Sequence, residues 1–277
     1  MYPSVLPDLS GLSWIADDLF VGVHDAKNND EKKNWPRVSL IQLPLSEAEG
    51  AIWRPSYPDF PGPGGVSSDL ESSCSIPGTK DFLFVESGQE GANFSRIFHA
   101  RYLNSEIEII DYTNWPVGIT NVEATEVFRV GEQLVFLYAE RAEGEPSTNI
   151  RWANLSLNPL DFGDFQEVTF EGIDPVGPGA RPVVAMEIDS EGFIYIVSAY
   201  DSGSDDGPYR SVVWLIGQVL ANNEGHAMVE LGNYQRLGTL DGLKVESIAV
   251  RELSGEAKQV FIGTDDEHYG GIIRLLP

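Results

Sequence analysis

Apolar and polar residues alternate along five stretches of this chain, and each stretch repeats one pattern. An alternating strand leads into a tight turn, then a second and more apolar strand, then an acidic residue. The stretches cover residues 10–25, 69–86, 122–140, 182–201 and 245–265. Alternation at period two, enriched in Val, Ile, Phe and Tyr, predicts strands with one face buried. The turns at 78–81, 130–133 and 189–192 carry Gly beside Asp, Glu or Lys, the chemistry of tight hairpins. Gly11, Glu71, Glu123, Val183 and Glu246 hold equivalent places, spaced 60, 52, 60 and 63 residues apart.

A repeat of this length with several strands per unit predicts the blades of a β-propeller, because a solenoid repeat is shorter. A third strand follows each hairpin, over 38–43, 95–102, 150–155, 211–216 and 271–276. A fourth and more polar strand follows in four repeats, over 51–54, 106–112, 166–170 and 234–239. The fifth repeat ends after its third strand, while residues 2–6 precede the first repeat without a blade of their own. The fold class that results is all-β: a five-bladed β-propeller of four-stranded antiparallel blades, residues 1–277 forming one domain. Residues 2–6 close the ring as the outer strand of the last blade, which covers two open edges at once. No stretch reads as a long amphipathic helix; 218–222 comes nearest and is too short to matter, while 28–34 reads as a charged loop and 55–68 as a Pro/Gly connector.

The charge balance narrows the partners. Forty-three acidic residues against eighteen Lys and Arg give a net charge of −25. Such a surface repels nucleic acid and anionic membranes, both of which need phosphates neutralised by basic side chains. It suits divalent cations, a small molecule or a basic protein partner, and the chain is expected to be a monomer. No apolar run approaches the roughly 20 residues of a membrane-spanning helix. The start of the chain lacks the basic and apolar regions of a signal peptide, so the expected compartment is the cytoplasm, or outside it after removal of a leader. One cysteine, Cys74, excludes an internal disulfide and reads as a buried thiol.

Strand polarity locates the candidate chemistry. In an antiparallel meander, connections alternate between the two ends of a blade. Glu71, Glu123 and Glu246 begin inner strands, and Asp25, Glu86, Glu140, Asp201 and Asp265 end second strands, so all eight are expected around one mouth of the channel. Converging carboxylates must be protonated, paired or bound to a cation. Oxygen ligands favour calcium or magnesium over zinc, and the expected ligands are Glu71, Glu123, Glu246, Asp265 and Asp266, with calcium as the ion. Arg181 enters the fourth inner strand where other repeats carry Glu, and offers internal neutralisation instead. Glu267 and His268, within the Gly-rich loop 263–271, complete the expected mouth, His268 as an acid or base. No nucleophile elbow, P-loop or dinucleotide glycine motif is present.

The segments 69–72 (Asp-Leu-Glu-Ser), 244–250 and 261–271 together resemble the phytase-like propeller family, often labelled esterase-like. The resemblance implies Glu71 and Glu246 as channel-mouth glutamates, with Asp265 and Asp266 in the neighbouring loop. Ser72 and Ser247 stand where that family carries Gly. The function expected first is a calcium-binding propeller that acts as a ligand-binding or protein-interaction module. The alternative is a metal-dependent hydrolase of a phosphate ester or lactone, in which the ion polarises the substrate and a carboxylate activates water. A third reading, a sugar-binding or sugar-cleaving domain, rests on Trp14, Trp35, Trp53 and Trp115.

Overall fold

The computed structural model describes residues 5–28, 31–44, 52–204, 206–265 and 270–276. Five antiparallel sheets stand around a central channel, each running from an inner to an outer strand. The first blade comprises β1 (Gly11–Ala16), β2 (Leu19–Val23), β3 (Val38–Gln42) and β4 (Ile52–Ser56), and the second β5 (Leu70–Ser75), β6 (Asp81–Glu86), β7 (Arg96–Leu103) and β8 (Glu106–Asn114). The third holds β9 (Val122–Val130), β10 (Gln133–Glu140) and β11 (Ser147–Leu157), its outer edge divided between β12 (Leu160–Phe162) and β13 (Gln166–Glu171). The fourth runs β14 (Ala180–Ile188), β15 (Phe193–Asp201), β16 (Tyr209–Ala221) and β17 (Ala227–Asp241). The fifth shows β18 (Val245–Arg251), β19 (Gln259–Thr264) and β20 (Ile273–Leu275).

Residues 218–221, in the stretch that came nearest to a helical pattern, extend β16 and pair with β17 through Ala221. Five residues close too few helical hydrogen bonds to compete with a strand partner already in register. The long β16–β17 hairpin needs Gly217, since a Cβ there would stand 2.1 Å from the Glu230 carbonyl oxygen.

Each inner strand packs on the next, β1 on β5, then β9, β14, β18 and back to β1. Small residues permit this approach: a Cβ on Gly11 would lie 2.6 Å from the Ser73 amide nitrogen. Hydroxyls then tie neighbouring blades, with Ser13 Oγ to Ser73 Oγ at 2.9 Å and Thr125 Oγ1 to Ser72 Oγ at 2.9 Å. Ser247 donates to the Leu9 carbonyl at 3.0 Å. The two serines that depart from the family pattern are therefore blade-to-blade ties in this chain. Between each pair of blades lies an apolar layer, such as Val85, Val127, Phe136 and Leu155 between the second and third.

The closing seam is held by Leu6, Leu9, Leu12 and Phe20 packed with Ala249 and Phe261. The Leu9 amide donates to the Thr264 carbonyl at 2.9 Å, and the Gly271 amide to the Leu6 carbonyl at 2.8 Å. Leu6 thus stands beside the start of the last blade's third strand, where an outer strand belongs; residues 2–4 of the expected closing strand lie outside the described residues. Removing residues 1–8 takes Leu6 out of this layer and cuts the bond from Gly271. Burial of one leucine contributes about 1.5–3 kcal/mol, so the melting temperature is expected to fall by several degrees. An unchanged thermal melt would refute closure through this segment.

Candidate active site at the channel mouth

The strand register explains how the glutamates reach the channel. Leu70 pairs with Glu86 and Ser72 with Val85, leaving Glu71 as an extra residue. Val122 pairs with Glu140 and Ala124 with Ala139, so Glu123 is extra in the same place. Val245 pairs with Thr264 and Ser247 with Gly263, which makes Glu246 the third. A β-bulge re-aims the side chain that it carries, and three bulges at one level bring three glutamates to one cavity. In the fourth blade the same level is wider, with residues 182–184 between the pairs Arg181–Ala199 and Ala185–Val197, and Arg181 stands there. Pro182 has no N–H for the ladder at this point.

The same register corrects two expectations. Glu86 and Glu140 pair at the level of Thr264 in the last blade, one residue before the level of Asp265. Successive side chains of a strand point to opposite faces, so Glu86 and Glu140 do not line the central cavity. Glu86 is fully buried against Arg96, and Glu140 faces Arg151 at 3.3 Å. Their neighbours Ser87 and Arg141 take the level of Asp25, Asp201 and Asp265, and Arg141 reaches the mouth.

The mouth is a cavity of about 200 Å³ lined by polar residues on every side. Asp25, Glu71, Glu123, Asp201, Glu246 and Asp265 meet there with Lys27, Arg141, Arg181 and Lys244. Arg181 bridges Asp201 at 2.9 Å and Glu246 at 3.1 Å. Lys244 lies 2.5 Å from Asp265 and 3.3 Å from Glu246. Arg141 holds Glu123 at 2.8 Å, and Lys27 holds Asp69 at 2.9 Å. The expected ligands Glu123, Glu246 and Asp265 therefore each carry an internal cation. Asp266, Glu267 and His268 lie outside the described residues. His24 is buried between the Asp8 carbonyl and Ser39, and burial lowers its pKa to about 4, so it is neutral and structural.

Arg181 was legible as a neutralising partner and takes that place, but the other three cations of this site were not. Arg141 directly follows Glu140, while Lys27 and Lys244 stand two residues from Asp25 and Glu246. That proximity was the available signal.

Environment sorts these carboxyls into different protonation states. Burial, and then the charge of Asp265, push Asp25 up to about 6. Burial also acts on Asp265, but Lys244 and a hydrogen bond from Glu246 outweigh it and hold Asp265 below the usual carboxylate range. Burial and the Asp265 charge raise Glu246 well above that range, and burial with the neighbouring Asp69 and Glu123 does the same to Glu71. Asp265 Oδ1 and Asn121 Oδ1 are buried without a hydrogen-bond partner among the described residues. One cluster, Asp25, Asp69 and Glu71, brings three carboxylate oxygens within 4.8 Å of one another.

Two features set the reach of this site. Below the mouth the channel narrows to about 10 Å³ between Gly11, Ser72, Ala185 and Ser247. Sideways it opens past Gln89, Asn121 and Arg141 into a groove of about 470 Å³ lined by Thr120, Glu140 and Arg151. Of the tryptophans considered for sugar contact, none lines the mouth: Trp115 is core, Trp53 packs on the closing seam, and Trp14 lies at the far end of the channel.

No protein-family model matches the sequence, and no curated protein matches it significantly. Solved structures do match over nearly the whole ring. An exo-1,5-α-L-arabinanase from a bovine ruminal metagenomic library is 12% identical, with 99% of this chain and 95% of that chain covered and a TM-score of 0.56. A thermostable family-43 glycoside hydrolase is 12% identical, with coverage of 99% and 92% and a TM-score of 0.55. An endo-1,4-β-xylanase from Bacteroides thetaiotaomicron VPI-5482 is 10% identical, with coverage of 98% and 90% and a TM-score of 0.52. At these identities the likeness establishes the fold, a five-bladed propeller whose structural neighbours are glycoside hydrolases; these structures lend no support to a phytase-like family.

Proposed function

We propose that the mouth is a hydrolytic site for a glycoside, with Asp25 as the general acid and Asp265 as the ionised partner. The observation that carries this reading is the divergence of two neighbouring carboxyls in one cavity, Asp25 raised to about 6 and Asp265 lowered. A pair held in opposite protonation states is what acid-assisted cleavage of a glycosidic bond requires. Asp25 is 26% exposed, open enough to meet a leaving oxygen. It protonates that oxygen as the bond to the anomeric carbon breaks. Asp265 assists the attack of water, or attacks first itself and is released by water. Glu246 and Lys244 hold Asp265 in place and keep it ionised. The adjoining polar groove offers room for further sugar units, and the glycoside hydrolases with the same fold support the substrate class.

A second reading retains a divalent cation, because Asp25, Asp69 and Glu71 bring three oxygens within 4.8 Å. Lys27 Nζ lies 2.9 Å from Asp69 in that cluster and would have to give way.

One experiment weighs both. The protein is assayed on arabino- and xylo-oligosaccharides and their nitrophenyl glycosides, with chelator or with millimolar calcium, and a thermal melt is recorded in each buffer. Turnover that survives the chelator is the expected result. A calcium-specific rise in melting temperature, abolished by Glu71→Gln, together with no sugar release, would replace this reading with the cation-binding module.

A further inference from the structure

The opposite end of the channel is also built as a site, with a different chemistry. The lower ends of all five inner strands enclose a cavity of about 470 Å³. Its walls are largely apolar: Trp14, Ile15, Ile76, Phe128, Ile188 and Val250. Four acidic residues line this space, among them Glu126 from β9 and Glu187 from β14. Glu126 is only 3% exposed, and its one described hydrogen bond comes from the Val127 amide at 2.7 Å. The backbone amides of Val250 and Ile188 partly offset the burial that raises the Glu187 pKa.

Here the internal cations are missing. At the upper mouth Glu123, Glu246 and Asp265 each have a Lys or Arg, whereas among the described ion pairs neither Glu126 nor Glu187 has one. Two basic groups stand nearby. Arg129 lines the cavity too, but donates to the Pro77 carbonyl at 3.0 Å and pairs with neither glutamate among the described ion pairs. Lys258 is held by Asp189 at 2.7 Å, Glu191 at 2.5 Å and Glu252 at 3.3 Å. Asp189 and Glu252, also on this rim, add negative charge.

We infer that this cavity binds an organic ammonium ion with an apolar body, its cationic head between Glu126 and Glu187. Once ionised, the two acids offer a counter-charge that no Lys or Arg neutralises among the described ion pairs, and Trp14 and Phe128 line the same cavity, where aromatic rings attract cations. The narrow waist separates this site from the upper mouth, so the inference does not depend on the hydrolase reading. Without a ligand the pair keeps protons: burial and the other glutamate raise Glu126, and burial raises Glu187 to about 8. Binding of an ammonium ion near neutral pH therefore releases a proton. A folded-state pKa of about 8 also means that Glu187 stabilises the fold at low pH, and that this contribution is lost as pH rises through 8.

Phenethylammonium chloride is the probe, with 2-phenylethanol and 3-phenylpropionate as its neutral and anionic counterparts. Isothermal titration in two buffers of different ionisation enthalpy, at neutral pH and above pH 8, reads both affinity and proton release. The expected result is binding of the ammonium ion at least about tenfold tighter than the alcohol, with no detectable binding of the carboxylate. Proton release should be visible at neutral pH and smaller above pH 8. Glu126→Gln and Glu187→Gln should each weaken the ammonium about tenfold and leave the alcohol unchanged, with melting temperatures at or above the parent's, since each removes a buried acid. Equal binding of alcohol and ammonium, no ammonium binding at millimolar probe, or unchanged affinity in both variants would overturn the inference.

Discussion

Arg96→Leu is expected to destabilise the protein by about 3–5 kcal/mol, because it strands a carboxylate inside the fold. Glu86 and Arg96 are both fully buried, and the guanidinium grips both carboxylate oxygens, at 2.6 and 2.9 Å. Arg96 also donates to the Pro61 and Gly65 carbonyls of the Pro/Gly connector, at 3.0 and 3.1 Å. A loss of that size corresponds to a fall in melting temperature of roughly 10 °C for a chain this long. The double variant Arg96→Leu, Glu86→Leu should recover part of the stability, since an apolar pair costs no desolvation of charge, while the two connector carbonyls stay unpaired. Denaturant titration of both variants checks these two statements. A single-variant cost below about 1 kcal/mol would mean that water reaches Glu86.

At the mouth, Asp265→Asn is expected to lower glycoside turnover about 100- to 10,000-fold while leaving substrate binding within a small factor, because the group acts on the transition state. The amide keeps the shape and a partner for Lys244 but not the charge. The pH profile gives the sign of each role. Turnover should fall as pH rises through about 6, where Asp25 loses its proton, and fall again on the acid side below the ordinary carboxylate range, where Asp265 gains one. Asp25→Asn should abolish the alkaline limb and be partly rescued on substrates with an activated nitrophenolate leaving group, which needs little protonation. Full activity of Asp265→Asn, or an alkaline limb that persists in Asp25→Asn, would remove these residues from the reaction.

The division between sequence and structure at this mouth is a matter of one residue of register. Period-two alternation and the recurring hairpin turns determined the five blades, and the repeat spacing put Glu71, Glu123 and Glu246 at equivalent places. Alternation is a local property, set by the need to bury one face of each strand, and it is therefore legible in a single chain. The bulges that aim those glutamates into the channel are not, because a bulge exists only relative to the partner strand's register. The same one-residue offset sent Glu86 to Arg96 and brought Arg141 to the mouth. Whether the gathered acids form a cation cage or an internally neutralised network was likewise decided by tertiary structure. Lys27, Arg141, Arg181 and Lys244 come from four different blades, and their pairing depends on distances no spacing encodes. The lower cavity follows the same rule. Glu126 and Glu187 lie sixty-one residues apart in strands that read as ordinary apolar alternation, and only ring closure places both acids on one cavity, where neither has a Lys or Arg among the described ion pairs.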